Sequence, residues 1–207
     1  AREAGLNGKE KAVLGSSPHN PAGRIWTPEE LRQLAAFCDR HDLMMISDEI
    51  HHDLVIPDQS FTPFLIAAPN AADRTFVLTA ASKTFNTAGA RQGTVTIPNE
   101  ERRQTFRRSL LAHQTQPNLL GRELTKAAYS PAGAAWVDDL VIYLEENARV
   151  FLDGISQIPG LKGMPMQSTY LTWIDFDGTG REMAVVLRRV KEDARSAPAV
   201  GREFGTG

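Results

Sequence analysis

Cysteine is nearly missing. Cys38 is the only one in 207 residues, so no internal disulfide can form and a reducing, cytoplasmic setting is the default. Long hydrophobic runs are missing as well. No apolar stretch approaches the roughly 20 residues that a membrane helix needs, and no membrane partner is expected. Neither sign of charge dominates: 23 Lys and Arg stand against 25 Asp and Glu, a formal net charge of −2. That balance gives no electrostatic case for nucleic acid or an anionic membrane. Repeats, low-complexity tracts and metal-ligand spacings are absent too; His51 and His52 are adjacent, which is poor geometry for two ligands of one metal. The opening AREAGLNGKEKAVLG lacks a charged-then-apolar signal pattern. What is present is an ordinary globular composition, 42% apolar and 23% charged, long enough for one or two domains with a sizeable core. The chain opens in a polar stretch directly before an apolar run and closes on a loop, Val200 to Gly207, so a fragment of a longer protein is expected.

Ala12 to Gly15 reads as a short buried strand, followed by a Pro- and Gly-punctuated turn from Ser16 to Gly23. Thr27, Pro28 and Glu30 form a capping-box start, and Leu31, Leu34, Ala35 and Cys38 fall on one helical face, which makes Cys38 a core residue. Leu43 to Ile46, Thr75 to Leu78 and Thr94 to Ile97 read as further strands, the first a continuous apolar run of the kind covered on both faces. Strands alternating with helices predict an α/β layer architecture. From Asn99 the pattern turns helical: Glu100 to Ala112, Asn118 to Tyr129, and a long helix from about Ala134 to Ile158. Trp136, Leu140, Tyr143, Leu144 and Val150 or Phe151 suggest one apolar stripe on that long helix. Thr169 to Phe176 reads as a strand and Gly180 to Arg195 as a surface helix.

Polar residues follow the first three strands: Asn20, Asp48 and Lys83. In open α/β sheets, ligands bind outside the carboxyl ends of the strands, so these three are expected to converge on one pocket. Each has a plain alternative. Asn20 before Pro21 could shape a turn, Lys83 could be a surface lysine, and Arg91 could serve a structural ion pair. Asp48-Glu49 could be the magnesium-binding strand end of a nucleotide hydrolase, but the Gly-x-x-x-x-Gly-Lys-Ser/Thr loop that reading needs does not occur in these residues. Taken together, the order and spacing match one cofactor, pyridoxal phosphate. Its aldehyde condenses with a lysine amine, its ring nitrogen works best beside a carboxylate, and its phosphate wants hydroxyls and an arginine fork. Lys83, Asp48, Asn20, Ser82 and Arg91 supply that inventory.

Asn20-Pro21-Ala22-Gly23, Ser47-Asp48-Glu49-Ile50 and Ser82-Lys83 followed by Gly89-x-Arg91-x-Gly93 resemble the fold-type-I pyridoxal phosphate enzymes related to aspartate aminotransferase. The resemblance covers nearly the whole chain. It implies an α/β fold: part of the large cofactor-binding domain with a mostly parallel sheet (residues 1–143), then part of a smaller α+β C-terminal domain (residues 144–207). Ser47 to His51, Ser82 to Asn86 and Ser168-Thr169-Tyr170-Leu171-x-Trp173-x-Asp175 look like the MalY/PatB-type cystathionine β-lyase branch, the C–S lyases. That narrower resemblance implies cleavage of a sulfur-bearing amino acid to a thiol, pyruvate and ammonia. An aminotransferase, or the cofactor-sensing domain of a transcription regulator, stays open as an alternative.

In this family Lys83 would be the catalytic lysine. Asn20, Asp48, His51, Ser82, Lys83 and Arg91 would bind the cofactor, with His51 donating to the phenolate oxygen where typical aminotransferases carry a tyrosine. Two positions depart from the pattern. Ala80 stands where many relatives place a phosphate-binding serine, and Arg91 keeps a phosphate arginine that C–S lyases often replace. The resemblance further implies a homodimer in the full-length protein. It also implies that a phosphate loop, a stacking aromatic and a carboxylate-binding arginine lie outside these residues, leaving the piece alone inactive.

Overall fold

The computed structural model describes residues 5–205. Three parallel strands form its centre: β1 (Ala12–Ser16), β2 (Met44–Asp48) and β3 (Thr75–Thr79). A fourth, β4 (Thr94–Thr96), closes the order β1-β2-β3-β4 and runs antiparallel to β3. The mostly parallel α/β sheet expected from the sequence is therefore present, with one antiparallel edge. A parallel return needs a crossover, usually a helix, on one face of the sheet. The link from β3 to β4 holds only turns and the short 3₁₀ segment Ala88–Ala90, so the chain doubles back.

The helix after β1 forms for the reasons its sequence carries. In α1 (Pro28–Arg40), the Thr27 hydroxyl accepts from the Glu30 N–H and the Glu30 carboxylate accepts from the Thr27 N–H, a reciprocal cap worth about 1 kcal/mol. Leu31, Ala35 and Cys38 are buried at helical spacing, with Phe37 beside them. They pack on Leu43 and Met45 of the sheet and on Phe64, Ala67 and Ala68 from α2 (Phe64–Ala67) and the residue after it. Cys38 is fully buried, as the helical face predicted.

Along β2 the burial alternates. Met45 and Ser47 are buried, whereas Met44, Ile46 and Asp48 are half-buried. The expectation that this strand is covered on both faces is corrected by that pattern. One face carries the α1–α2 layer. On the other, Phe76 meets Phe106 of α3 (Glu100–Ala112), while Leu14, paired with Ile46, stays 70% exposed.

Helices α4 (Leu119–Ala128) and α5 (Pro131–Ser156) follow, and α5 runs unbroken through residues 143 and 144. The stripe expected on the long helix is only partly its packed face: Leu140 and Leu144 are half-buried and Trp136, though exposed, stacks on Phe85, whereas Tyr143, Val150 and Phe151 are exposed and Ala148 is the buried residue. A small antiparallel pair, β5 (Lys162–Gly163) and β6 (Ile174–Asp175), precedes α6 (Met183–Glu192). Of the strand expected from Thr169 to Phe176, only Ile174 and Asp175 pair as β-structure. Among the described residues no helix is long and apolar enough to cross a membrane.

Candidate active site

The register of the parallel strands brings three chain reversals to one edge of the sheet. Ser16 lies opposite Asp48, and Asp48 opposite Leu78. Beyond the strands, the Ser17 N–H donates to the Asp48 carbonyl (3.0 Å) and the Glu49 N–H to the Leu78 carbonyl (2.9 Å). The loops that carry Asn20, Asp48 and Lys83 therefore leave the sheet side by side.

Asp48 and Glu49 are neighbours in sequence with separate jobs. The Asp48 carboxylate stays half-buried and accepts from the Ile50 N–H (3.2 Å), which turns the chain off the strand. Glu49 points inward and is 3% exposed; its Oε1 accepts from the Ser47 hydroxyl and the Phe64 N–H, both at 2.9 Å. Burial pushes the Glu49 carboxyl above the usual carboxylate range, against those hydrogen bonds. A raised folded pKa means that the native state binds the proton more tightly than the unfolded chain. Glu49 therefore costs stability as pH climbs from the ordinary carboxyl value, about 4.3, through the raised one. Glu49→Gln, which keeps an acceptor oxygen, is expected to gain on the parent in melting temperature as pH rises above the ordinary carboxyl value. Glu49→Ala strands the Phe64 N–H and is expected to lose about 1–3 kcal/mol throughout. A gap between parent and Gln variant that does not change with pH would contradict this.

His51 sits in the turn after β2. Its ring is 1% exposed, and neither nitrogen has a hydrogen-bond partner among the described residues. His52, by contrast, is engaged: Nδ1 donates to the Glu49 carbonyl (2.7 Å) and Nε2 lies 3.1 Å from Asp53 Oδ1. Burial lowers the His51 pKa, the Lys83 charge lowers it further, and the Asp48 charge opposes both. The charges of Asp48 and Lys83 thus act on one imidazole, which brings together three of the residues singled out from the sequence.

Lys83 is half-buried in a tight turn after β3, where the Phe85 N–H donates to the Ala81 carbonyl (2.9 Å) and the Thr87 N–H to the Ser82 carbonyl (3.0 Å). Ser82 is half-buried beside it. Arg91 is exposed in a left-handed backbone conformation (φ +50°), and Asn20 is exposed in the turn after β1. No side-chain hydrogen bond or ion pair links Asn20, Ser82 or Arg91 to the Asp48–His51–Lys83 group among the described residues.

A further wall comes from far along the chain. The Gly23 carbonyl accepts from the Gln167 N–H (2.9 Å) and the Ser168 N–H (3.0 Å). The Thr169 N–H donates to the Leu54 carbonyl (2.9 Å), and the Ile25 N–H to the Gln167 side chain (2.9 Å). Ser168 and Thr169 are fully buried, and Thr169 has φ +73°, rare for a β-branched residue. The next side chain, Tyr170, meets His51 edge-on with ring centroids 5.9 Å apart and stays 46% exposed. Sequence reading missed Thr84 and Asp53, whose side chains meet at 3.1 Å. Their position directly after Lys83 and His52 was the only signal.

An unpaired buried imidazole costs about 1–3 kcal/mol and fits a site completed by a polar ligand. A lysine amine and a carboxylate, both acting on one buried imidazole, fit a cofactor such as pyridoxal phosphate, which needs a lysine amine and a ring-nitrogen partner.

The aminotransferase class I and II family matches residues 1–195. The chain is similar to cystathionine beta-lyase PatB of Bacillus subtilis strain 168, with 34% identity over 195 residues, 92% of this chain and 50% of that protein. It is similar to the crystal structure of cystalysin from Treponema denticola, which contains a pyridoxal 5'-phosphate cofactor (TM-score 0.85, 33% identity, 94% of this chain and 50% of that one). It is also similar to a PLP-bound putative aminotransferase from Clostridium difficile 630 (TM-score 0.90, 30% identity, 95% of this chain and 51% of that one). The chain spans about half the length of the curated relatives it matches.

Proposed function

Because the chain belongs to the class I and II aminotransferase family, we propose that the whole protein is a pyridoxal-phosphate-dependent C–S β-lyase. It acts on cystathionine or related cysteine-type amino acids and yields a thiol, pyruvate and ammonia. The observation that carries the site is His51, buried without a hydrogen-bond partner among the described residues in the combined field of Asp48 and Lys83. The lyase reading is supported by relatives named cystathionine beta-lyase at 30–34% identity and by solved C–S lyases. A homodimer in the cytoplasm is the setting that completes the proposal, and the single buried cysteine suits it.

When bound, pyridoxal phosphate supplies an aldehyde that captures amines and a ring that takes up electrons freed at the substrate Cα. Lys83 would hold the cofactor through its amine and would carry a proton away from the substrate Cα. Asp48, at the end of β2, would keep a proton on the ring nitrogen. His51 would supply a hydrogen bond to the phenolic oxygen, the role that would satisfy its ring. Ser82 and Arg91 would hold the phosphate, and Asn20, in the turn after β1, would face the ring. The C–S bond at Cβ then breaks, the thiol leaves, and the remaining three carbons take up water to give pyruvate and ammonia.

An aminotransferase would use the same residues through proton removal, and the similarity to a PLP-bound putative aminotransferase keeps that second reading in view. Product analysis with cystathionine separates the two. Pyruvate and thiol formed without added keto acid are expected. Turnover that depends on a keto acid overturns the lyase reading.

A further inference from the structure

Thr84 and Phe85 follow Lys83 and anchor its turn to two different parts of the molecule. The Phe85 ring stacks on Trp136 of α5 (5.3 Å between centroids) and meets Tyr129 edge-on (6.4 Å). Thr84 is 3% exposed, and its hydroxyl donates to Asp53 Oδ2 (3.1 Å). The same oxygen takes a long contact from the Tyr129 hydroxyl (3.5 Å), while Oδ1 lies 3.1 Å from His52 Nε2. His52 in turn donates to the Glu49 carbonyl. A line of polar contacts therefore runs from the Glu49 carbonyl just after β2, through His52 and Asp53, to the residue beside Lys83.

The rest of the Lys83 turn is closed by backbone bonds within itself, Phe85 to Ala81 and Thr87 to Ser82, which do not fix it against the loop of Asp48 and His51. Among the described residues, Asp53 with Thr84 is the only side-chain hydrogen bond between those two loops. A carboxylate suits the post because it only accepts, and the Thr84 and Tyr129 hydroxyls each have a hydrogen to give. It also acts on Tyr129: burial, then the Asp53 charge and its hydrogen bond, push the phenol up to about 12, so the hydroxyl keeps its proton.

We infer that Asp53 is a positioning residue that sets Lys83 against Asp48 and His51 through the Thr84 hydroxyl. The inference rests on the reading of Lys83 as the reacting amine. Displacing a reacting group by about 1 Å can cost about 10²-fold in rate.

The test uses Asp53→Ala, Thr84→Val, the double variant and Thr84→Ser in the whole protein. Asp53→Ala and Thr84→Val are each expected to lower kcat for the sulfur substrate about 10–100-fold with KM little changed. Thr84→Ser, which keeps the hydroxyl, stays within about threefold. The double variant is no worse than the weaker single, because both remove one connection. Amide hydrogen exchange of residues 83–87 is read in parallel without cofactor or substrate. It is expected to quicken about tenfold in Asp53→Ala and Thr84→Val and to stay at the parent rate in Thr84→Ser. Unchanged exchange in the first two, or losses that add as for independent sites, overturns the inference. A parent protein that takes up no pyridoxal phosphate sinks the functional reading instead, while the exchange experiment still decides the contact.

Discussion

Lys83→Ala is expected to abolish turnover, by about 10³-fold or more, and to remove the visible absorption of lysine-bound cofactor. The substitution removes the amine that the proposed chemistry uses twice, to hold the cofactor and to move the Cα proton. It also removes a positive charge that acts on His51, and this second effect can be read without any cofactor. Lys83 lowers the His51 pKa, so deleting its charge should raise it; Lys83→Arg, whose guanidinium stays charged, should not. NMR titration of the ring protons distinguishes the three proteins. The sign carries into stability. A histidine whose folded pKa is depressed binds its proton more readily in the unfolded chain, so stability drops as pH falls below the ordinary value of about 6.5. That loss should be smaller in Lys83→Ala than in Lys83→Arg. An arginine variant that turns over at the parent rate would refute the role of the amine. A His51 pKa equal in all three proteins would refute the electrostatic contact.

The parts of the fold legible in the sequence are those fixed by local chemistry. Thr27, Pro28 and Glu30 announce a helix start because capping uses residues a few positions apart, and Leu31, Ala35 and Cys38 repeat at the helical period. Asp48 and Lys83 were legible because each follows an apolar strand, and parallel pairing puts such positions at one edge. The rest depends on distant partners. Apolar residues along α5 revealed the packed face only in part, since Leu140 and Leu144 are half-buried but Tyr143 remains exposed and the covered residue is Ala148. Thr169 to Phe176 reads as a strand from composition, yet its start is held by the Leu54 carbonyl, just after two residues held by the Gly23 carbonyl, and bends through a left-handed threonine. The contact between Asp53 and Thr84 spans 31 positions and follows no period, so only the fold brings it into view.

The segment that carries that left-handed bend packs on Gly23, whose substitution is expected to destabilise well beyond the backbone cost alone. Gly23 has φ +66°, and a Cβ there would lie 3.0 Å from the Ser168 carbonyl oxygen, 3.1 Å from Met166 Cγ and 3.3 Å from the Leu171 carbonyl oxygen. Two of the three are backbone atoms of the segment that Gly23 itself holds through its carbonyl, so they cannot swing aside as a side chain would. The left-handed backbone costs about 1–2 kcal/mol for a residue with a Cβ. Crowding in a packed site adds about 1–3 kcal/mol. Gly23→Ala should therefore lose about 2–5 kcal/mol in chemical denaturation. Gly180 supplies the control. It has a similar φ of +63° with nothing within 4 Å of its Cβ position, so Gly180→Ala should show the backbone cost alone. The difference between the two losses measures how firmly the segment at 166–171 is seated. Because Tyr170 reaches His51 from that segment, Gly23→Ala should also let solvent reach the imidazole and return its pKa toward the ordinary value. If Gly23→Ala loses no more stability than Gly180→Ala and leaves the His51 titration unchanged, the wall formed by Ser168 to Tyr170 does not shape this site.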